Sequence, residues 1–549
     1  MKFPALRYEA EAFQLGKERI MGRQSAGDAF LRAIAMVAGD DVVHGYGPNP
    51  ASLASFTESL GRHAAGIRAD WVQISDMARL AQIGGVHFPD PSLGQAARAR
   101  LAAGPAAYSI TGITHTISSQ NAMGMLADLP VAPVMPWDAL ICTSGAVKSS
   151  TVRILEAQEE YLSWRMGLHA PPPRPALPVI PLGVHGTDFV FSAQERAAAR
   201  SGLGLGAQET AFLFLGRLSF HAKAHPFAMY VALEAVARKT GQPIVLIQCG
   251  WFANTFIEDA FKQGAATWAP SVRHVWLDGR KADLRASAWA ASDVFLSLPD
   301  NIQETFGLTP LEAMAAGLPV IVTDWDGYRE TVPDGEVGFR IPTTTPQSPV
   351  GDDYAVHHAV GTQTYDQYIG LAASHISVDL AALEEAVTRL VLDEGLRHSL
   401  GAAGRRVVAS RFDWSVVIRS YHDLWVELAA MRHAAGVALG AGAPRTAADR
   451  LGPFDLFANY PTTHLGEATA LYLRPSGPDL ARVLADPLFA LSRLDGADAL
   501  LVGPMLKALG ERPGIQMGAL GRALGIATEK VVFIISRLIK MGIVMVAGA

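Results

Sequence analysis

The sequence predicts an α/β protein built on parallel sheets, with a smaller, mainly helical module at its C-terminal end. Three observations predict it. Short apolar, β-branched runs alternate with helix-forming segments through most of the chain, the pattern of a parallel sheet covered on both faces. At 549 residues the chain exceeds one hydrophobic core, so several domains are expected. Beyond an Ala/Gly-rich stretch at 434–444 the alternation gives way to glycine-punctuated helical segments.

Composition narrows the class. Half of the residues are apolar and 18% are charged, which fits a globular enzyme with large buried sheets, and a net charge of −6 argues against a nucleic-acid protein. Cys142 and Cys249 each end a run that reads as a core strand, so buried free thiols and a reducing compartment are expected. The segment Met1–Tyr8 has no apolar signal core, and no apolar run approaches the ~18 to 20 residues of a membrane span. The expected location is cytoplasmic, with room for peripheral attachment to a membrane.

In chain order, residues 21–32 read as a glycine-containing turn opening a helix whose apolar side carries Ala29, Phe30, Ala33 and Ile34. Such a turn lets a ligand approach the backbone, and it equally suits an ordinary cap at Ser25 or Asp28. Strand-like pieces follow at 41–46, 71–74 and 107–116. His115 ends the last of these, at the edge where open α/β sheets place ligands, although a lone histidine is more often structural. His44 and His87 also fall near strand ends but match no motif. Residues 139–147 read as strand, turn and helix, and the helix continues to the proline run at 171–175. The glycine-rich turn at 202–206 precedes a strand instead of following one, so it is not a dinucleotide fingerprint.

The strand 210–215 leads into Gly216-Arg-Leu-Ser-Phe-His-Ala-Lys223. A guanidinium and an ammonium close together after a strand suit a diphosphate, one forking onto oxygens and the other acting as a point charge. Further strands and helices at 244–249, 272–279 and 284–292 lead to the most informative passage, 293–322. There a buried strand runs into Glu304-Thr-Phe-Gly-Leu-Thr-Pro-Leu-Glu312 and a strong helix former. Thr309-Pro310 sets the helix start, with Glu312 where a capping-box acid would sit. The amides of Phe306, Gly307, Leu308 and Thr309 would then face beyond the loop, where a helix N-terminus attracts an anion. The simpler reading is that Glu312 caps its own helix and Glu304 is a solvated acid.

This passage, with the downstream loop 324–330 and the segments 334–335 and 338–342, resembles the donor half of GT-B glycosyltransferases of the family 4 type, marked by two glutamates with seven residues between them. The resemblance implies two facing Rossmann-like domains, 1–185 and 186–435, with a closing helix that crosses back to the first domain. From 343 to 374 the chain departs from the family pattern, its threonines and prolines reading as an extended insertion, and 436–549, a linker and accessory segment, lies outside the resemblance. The resemblance implies transfer of a hexosyl or related group from a nucleotide-sugar, with retention of configuration, to an acceptor that the sequence does not name. Glu304, His115, Arg217 and Lys223 would form the catalytic set. Glu312 would hold the nucleotide ribose, beside Gly216, Phe306, Gly307, Leu308 and Thr309 at the donor. Gly22, Ser25 and Asp28 match the acceptor loop. On the frequency of donors in the resembled family, a UDP-sugar is the expected donor. Asp324-Trp-Asp326 superficially matches the D-x-D metal signature of the other large glycosyltransferase fold, but coincides with a glycine-containing loop here, so no metal or other cofactor is expected. Ala224 stands where the family more often has glycine.

The segment 503–546 resembles a winged-helix domain, with helices over 517–524 and 527–541 and a final strand at 543–546. A DNA reader needs polar and basic side chains on its third helix. This one carries Val531, Val532, Phe533, Ile534 and Ile535 with only Lys530, Arg537 and Lys540 as bases, which favours a protein partner or self-association through 445–549 over DNA. The alternative function is a degenerate nucleotide-sugar sensor or scaffold acting through this segment. Intact Glu304, Glu312, Arg217 and Lys223 speak against it.

Overall fold

The computed structural model describes residues 3–10, 22–435 and 443–546, which form two compact units, Met1–Ala448 and Asp449–Ala549. The first unit holds two six-stranded parallel sheets. One contains β1 (Ala5–Arg7), β2 (Val42–Gly47), β3 (Arg68–Gln73), β4 (Gly85–His87), β5 (Ser109–Ile113) and β6 (Ala139–Ile141), in the order β3-β2-β1-β4-β5-β6. The other contains β7 (Thr210–Leu215), β8 (Ile244–Gly250), β9 (Arg273–Asp278), β10 (Val294–Ser297), β11 (Val320–Thr323) and β12 (Gly338–Ile341), in the order β12-β11-β10-β7-β8-β9. Counted from its own first strand, each sheet has the doubly wound Rossmann order.

The strands arise where the sequence offers continuous apolar runs. Every residue of β7, β8, β10 and β11 is buried, because helices cover both faces and leave no side for polar alternation. The order has a functional consequence. β10 lies directly against β7, pairing Val294 with Phe212 and Phe295 with Leu213. The loops after these two strands therefore meet at the point where the strand order reverses, the place where open α/β sheets take ligands. Arg217 and Lys223 sit on the first loop and Glu304 on the second.

The helix Trp414–Ala435 returns to the first sheet, as the closing helix was expected to. Its Trp425 indole donates to Thr111 Oγ1 at 3.3 Å, and its Arg432 donates to the Ala106 carbonyl at 3.2 Å. Trp414, Tyr421 and Leu428 are buried on the same face.

Two expectations are corrected here. The helix Gly22–Ala38 already includes Gly22, Ser25 and Asp28, so these positions are helical and not a turn; Met21 lies outside the described residues. The run from 22 to 38 contains no proline and buries Phe30, Ala33 and Ile34, and that packing carries the helix through its glycines. The insertion at 343–374 is not extended chain. It folds as two helices, Asp352–Ala359 and Tyr365–Ala373, flanked by β13 (Thr343–Thr344) and β14 (Ser377–Val378), which pair antiparallel. Thr364 and Gln367 form a capping box, and Ile369 anchors the second helix in the interior.

The second unit contains a three-stranded antiparallel sheet, β15 (Ala470–Leu473), β16 (Ile515–Gln516) and β17 (Val544–Val546), in the order β16-β15-β17. Its longer helices are Gly496–Glu511, Met517–Leu524 and Thr528–Lys540. The apolar helix taken as a partner surface is mostly internal. Val531, Ile534, Ile535 and Leu538 recur at helical spacing and pack with Leu471, Met505, Leu509 and Leu520 in this unit's own core. Phe533 remains exposed, beneath the guanidinium of Arg537 at 3.8 Å.

Candidate active site

The loop after β10 is built by its own polar residues. Asn301 is buried and donates to the Lys223 carbonyl at 2.6 Å, while its side-chain oxygen accepts from the Gln303 amide at 2.9 Å. Gln303 in turn accepts from Arg217 at 2.6 Å, and Arg217 also donates to the Ala222 carbonyl at 3.0 Å. The two loops are thus tied together by amide side chains, and the guanidinium is held in one place.

Between them Lys223 donates to the Glu304 carboxylate. Burial works against both charges. Lys223 is nevertheless raised above the usual lysine range by the Glu304 charge, and Glu304 is lowered below the usual carboxylate range by Lys223 and by the amides of Thr305 and Phe306. The pair is therefore an ion pair at neutral pH. The Phe306 amide, expected to face a bound anion, is instead turned onto Glu304. Gly216, at φ 155°, lies beneath the Lys223 stem: a Cβ there would stand 3.3 Å from Lys223 Cε.

The helix after this loop runs Leu308–Ala316, one residue earlier than Thr309-Pro310 suggests. Its cap position is Gly307 at φ 80°, with no side-chain cap, and the Thr309 hydroxyl is buried without a partner. Glu312 does not cap its own helix. Burial raises its pKa to about 7, with the charges of Arg285 and Lys223 pulling the other way. A carboxyl whose folded-state value lies above its unfolded one favours the fold fully below about pH 4.5 and loses that contribution as pH rises through about 7. Glu312→Gln removes this loss. We expect it to leave ligand-free stability near wild type at pH 5 and to raise it at pH 8 by up to ~3 kcal/mol, read from thermal unfolding against pH. Equal curves for the two proteins at pH 8 would show that Glu312 is not held neutral.

The opposite half meets this loop directly. Ser144, which caps the helix Gly145–Met166, donates to the Thr305 carbonyl at 2.9 Å, and the Gly145 amide donates to Glu330 at 2.6 Å. His115 lies on the loop after β5, its Nε2 2.9 Å from the Pro89 carbonyl, beside a cavity of about 30 Å³ lined by Phe30, His87, Trp414 and Tyr421. On the same loop, Ser118 Oγ lies 2.8 Å from the Tyr365 hydroxyl of the helical insertion, and Asp366 lies 3.8 Å from His221. The insertion therefore spans from the Arg217 loop to the His115 loop.

The structure thus brings Gly216, Arg217, Lys223, Glu304 and Glu312 together. It places His115 on the facing half, and leaves Ser25 and Asp28 on the helix Gly22–Ala38, where Asp28 lies 3.5 Å from Arg62 and 3.4 Å from His63. Sequence reasoning missed Asn301, Gln303 and Asp326. The first two were detectable as a polar cluster directly after a buried strand. Asp300 belongs to the same cluster; it accepts from the His225 amide, and burial lifts its pKa to about 7.

Residues 195–350 match the family described as "Glycosyl transferases group 1". A phosphatidyl-myo-inositol mannosyltransferase of Mycobacterium leprae is 32% identical over 147 residues, covering 27% of this chain and 30% of that protein. The protein of the same name from Mycobacterium tuberculosis is 27% identical over 239 residues, 43% of this chain and 50% of that one. A D-inositol 3-phosphate glycosyltransferase of Rhodococcus jostii is 31% identical over 149 residues, 27% of this chain and 32% of that one. The matches thus span 30% to 50% of the length of these curated relatives. Among solved structures, Anabaena Alr3699/HepE in complex with UDP aligns over 78% of this chain and 100% of that chain, with a TM-score of 0.49 and 16% identity.

Proposed function

We propose that this chain is a glycosyltransferase that moves a sugar from a nucleoside-diphosphate donor to a hydroxyl of an acceptor, with retention of configuration and without a required metal ion. The observation that carries the reading is the buried Lys223–Glu304 pair beside a fixed Arg217 at the switch point of the second sheet, inside the segment that matches the glycosyltransferase family. The difficult event is departure of the diphosphate. Arg217 and Lys223 are positioned to receive its developing charge by pre-organised electrostatics, without reorganising at the moment of reaction. Glu304 would then accept hydrogen bonds from hydroxyls of the transferred sugar, and Glu312 from the nucleotide ribose. The anomeric bond to the diphosphate breaks, a bond to the acceptor oxygen forms on the same face, and the acceptor proton leaves with the phosphate oxygen. The His115 loop is the acceptor side of this arrangement.

The unit Asp449–Ala549 is proposed as a winged-helix-like accessory module that does not bind DNA. Lys530 is engaged by Asp498 and Arg537 lies on Phe533, so its third helix offers few free bases. No helix among the described residues is long and apolar enough to cross a membrane. Cys142 and Cys249 are free and buried, in keeping with a reducing, cytoplasmic setting.

The test is a donor screen of UDP-, GDP- and ADP-sugars, following nucleoside diphosphate release with and without chelator. The acceptor panel begins with inositol and inositol phosphates, because the relatives' names share that group. Chelator-resistant release from one donor class is the expected result. If no donor is consumed with any acceptor, the transferase reading fails.

A further inference from the structure

The loop between β11 and the short helix Tyr328–Thr331 contains the only non-glycine residue of positive φ among the described residues, Asp326 at φ 43°. Glycine adopts this conformation freely; aspartate reaches it at some cost, helped by a local hydrogen bond from its carboxylate. One Asp326 oxygen accepts from the Gly327 amide. The other, Oδ2, is buried and has no partner.

Packing fixes where this carboxyl sits. A Cβ built on Gly327 would stand 2.7 Å from Phe306 Cα and 2.9 Å from the Thr305 carbonyl oxygen, so the Asp326 loop lies flat on the Glu304 loop. The Trp325 indole, donating to the Asn301 carbonyl at 3.0 Å, pins it there. Burial and the neighbouring Glu304 charge raise the Asp326 pKa to about 8, so at neutral pH it is largely a neutral acid that can both donate and accept. A side chain at positive φ, with a buried carboxyl oxygen left unpaired, costs the ligand-free protein stability. That arrangement is explained when a ligand supplies the missing partner.

The chemistry of that partner follows from the charges. The Asp326 acid and the Glu304 carboxylate offer no positive charge to a diphosphate, which belongs with Arg217 and Lys223. A sugar hydroxyl can donate to Oδ2 or accept from the protonated acid. We propose that Asp326 is a specificity-determining residue of the donor-sugar subsite, its Oδ2 hydrogen-bonded to a hydroxyl of the transferred sugar. This rests on the nucleotide-sugar reading given above.

The experiment compares wild type, Asp326→Gly and Asp326→Asn by calorimetry with UDP and with UDP-glucose, UDP-galactose and UDP-N-acetylglucosamine, and runs GDP and ADP with their sugars alongside. Thermal unfolding of the ligand-free proteins is recorded in parallel. Both variants are expected to bind the free nucleotide within about twofold of wild type and the matching nucleotide-sugar about tenfold more weakly. Asp326→Gly is expected to unfold at a higher temperature than wild type. Unchanged preference for the nucleotide-sugar over the free nucleotide in both variants overturns the assignment, and a lower unfolding temperature for Asp326→Gly does so too by making the residue structural. Failure of wild type to bind any of the three nucleotides overturns the donor reading itself, and this assignment with it.

Discussion

Replacing Glu304 with alanine is expected to lower donor turnover by a factor of about a thousand or more, the scale on which a pre-organised electrostatic group contributes. Two effects act together. The carboxylate proposed to hold the transferred sugar is gone, and Lys223 loses its partner in a buried site. Breaking a buried pair from one side costs about 3 to 5 kcal/mol, so the variant should also unfold earlier. Glu304→Gln separates the two effects. Its amide oxygen still accepts from Lys223, so most of the stability should return while turnover stays low. Single-turnover release of nucleoside diphosphate and denaturant unfolding on both variants make the comparison. Turnover within tenfold of wild type in Glu304→Gln would remove Glu304 from the chemistry.

Gly307→Ala is the second large effect, and it is steric. Gly307 sits at φ 80°, and a Cβ there would lie 1.7 Å from Tyr328 Cε1 and 2.6 Å from Cδ1. Tyr328 is itself fully buried, so its ring has nowhere to go. The loop must move, carrying the Glu304 carboxylate away from Lys223, or the fold must loosen. A loss above ~4 kcal/mol is expected, of the size reserved for overpacking and forced backbone. Tyr328→Ala in the same chain removes the obstacle and should recover part of that loss, a coupling that a double-mutant cycle measures. A Gly307→Ala protein as stable as wild type would contradict the close approach of the two loops.

Some of this was legible in the sequence. Continuous apolar runs announced the buried strands of the second sheet, and Arg217 and Lys223 could be picked out because they follow such a run, whereas Glu304 was marked by the family resemblance. Other features depend on partners distant in sequence. Nothing in the string says that Gln303 will hold Arg217 or that Asp326 will take a glycine's conformation, since both follow from how the β7, β10 and β11 loops converge. The helices of the insertion were readable: Thr364-Tyr-Asp-Gln367 is a capping-box pattern that the surrounding prolines and glycines obscured. The glycines near residue 22 misled in the opposite direction, because glycine in a helix costs only about 1 kcal/mol against alanine and packing overrode it. In the C-terminal unit, the period of Val531, Ile534, Ile535 and Leu538 was itself the signature of an inward face.

The returning helix Trp414–Ala435 has a consequence for the order in which the chain is made. The first sheet is finished in sequence at Ile141, yet Phe3, His87 and Thr111 are covered by side chains that do not exist until Tyr421 and Trp425 have been synthesised. At about 5 to 20 residues per second, the interval is on the order of tens of seconds. During it the earlier half carries an uncovered apolar face, while the later sheet, contiguous from Thr210 to Ile341, is made in full before Tyr421 is added. Completion of the first half therefore falls to the last residues of the unit. A ribosome-bound chain ending before Trp414 should be cleaved by protease in the first half, and one extending past Ala435 should be protected.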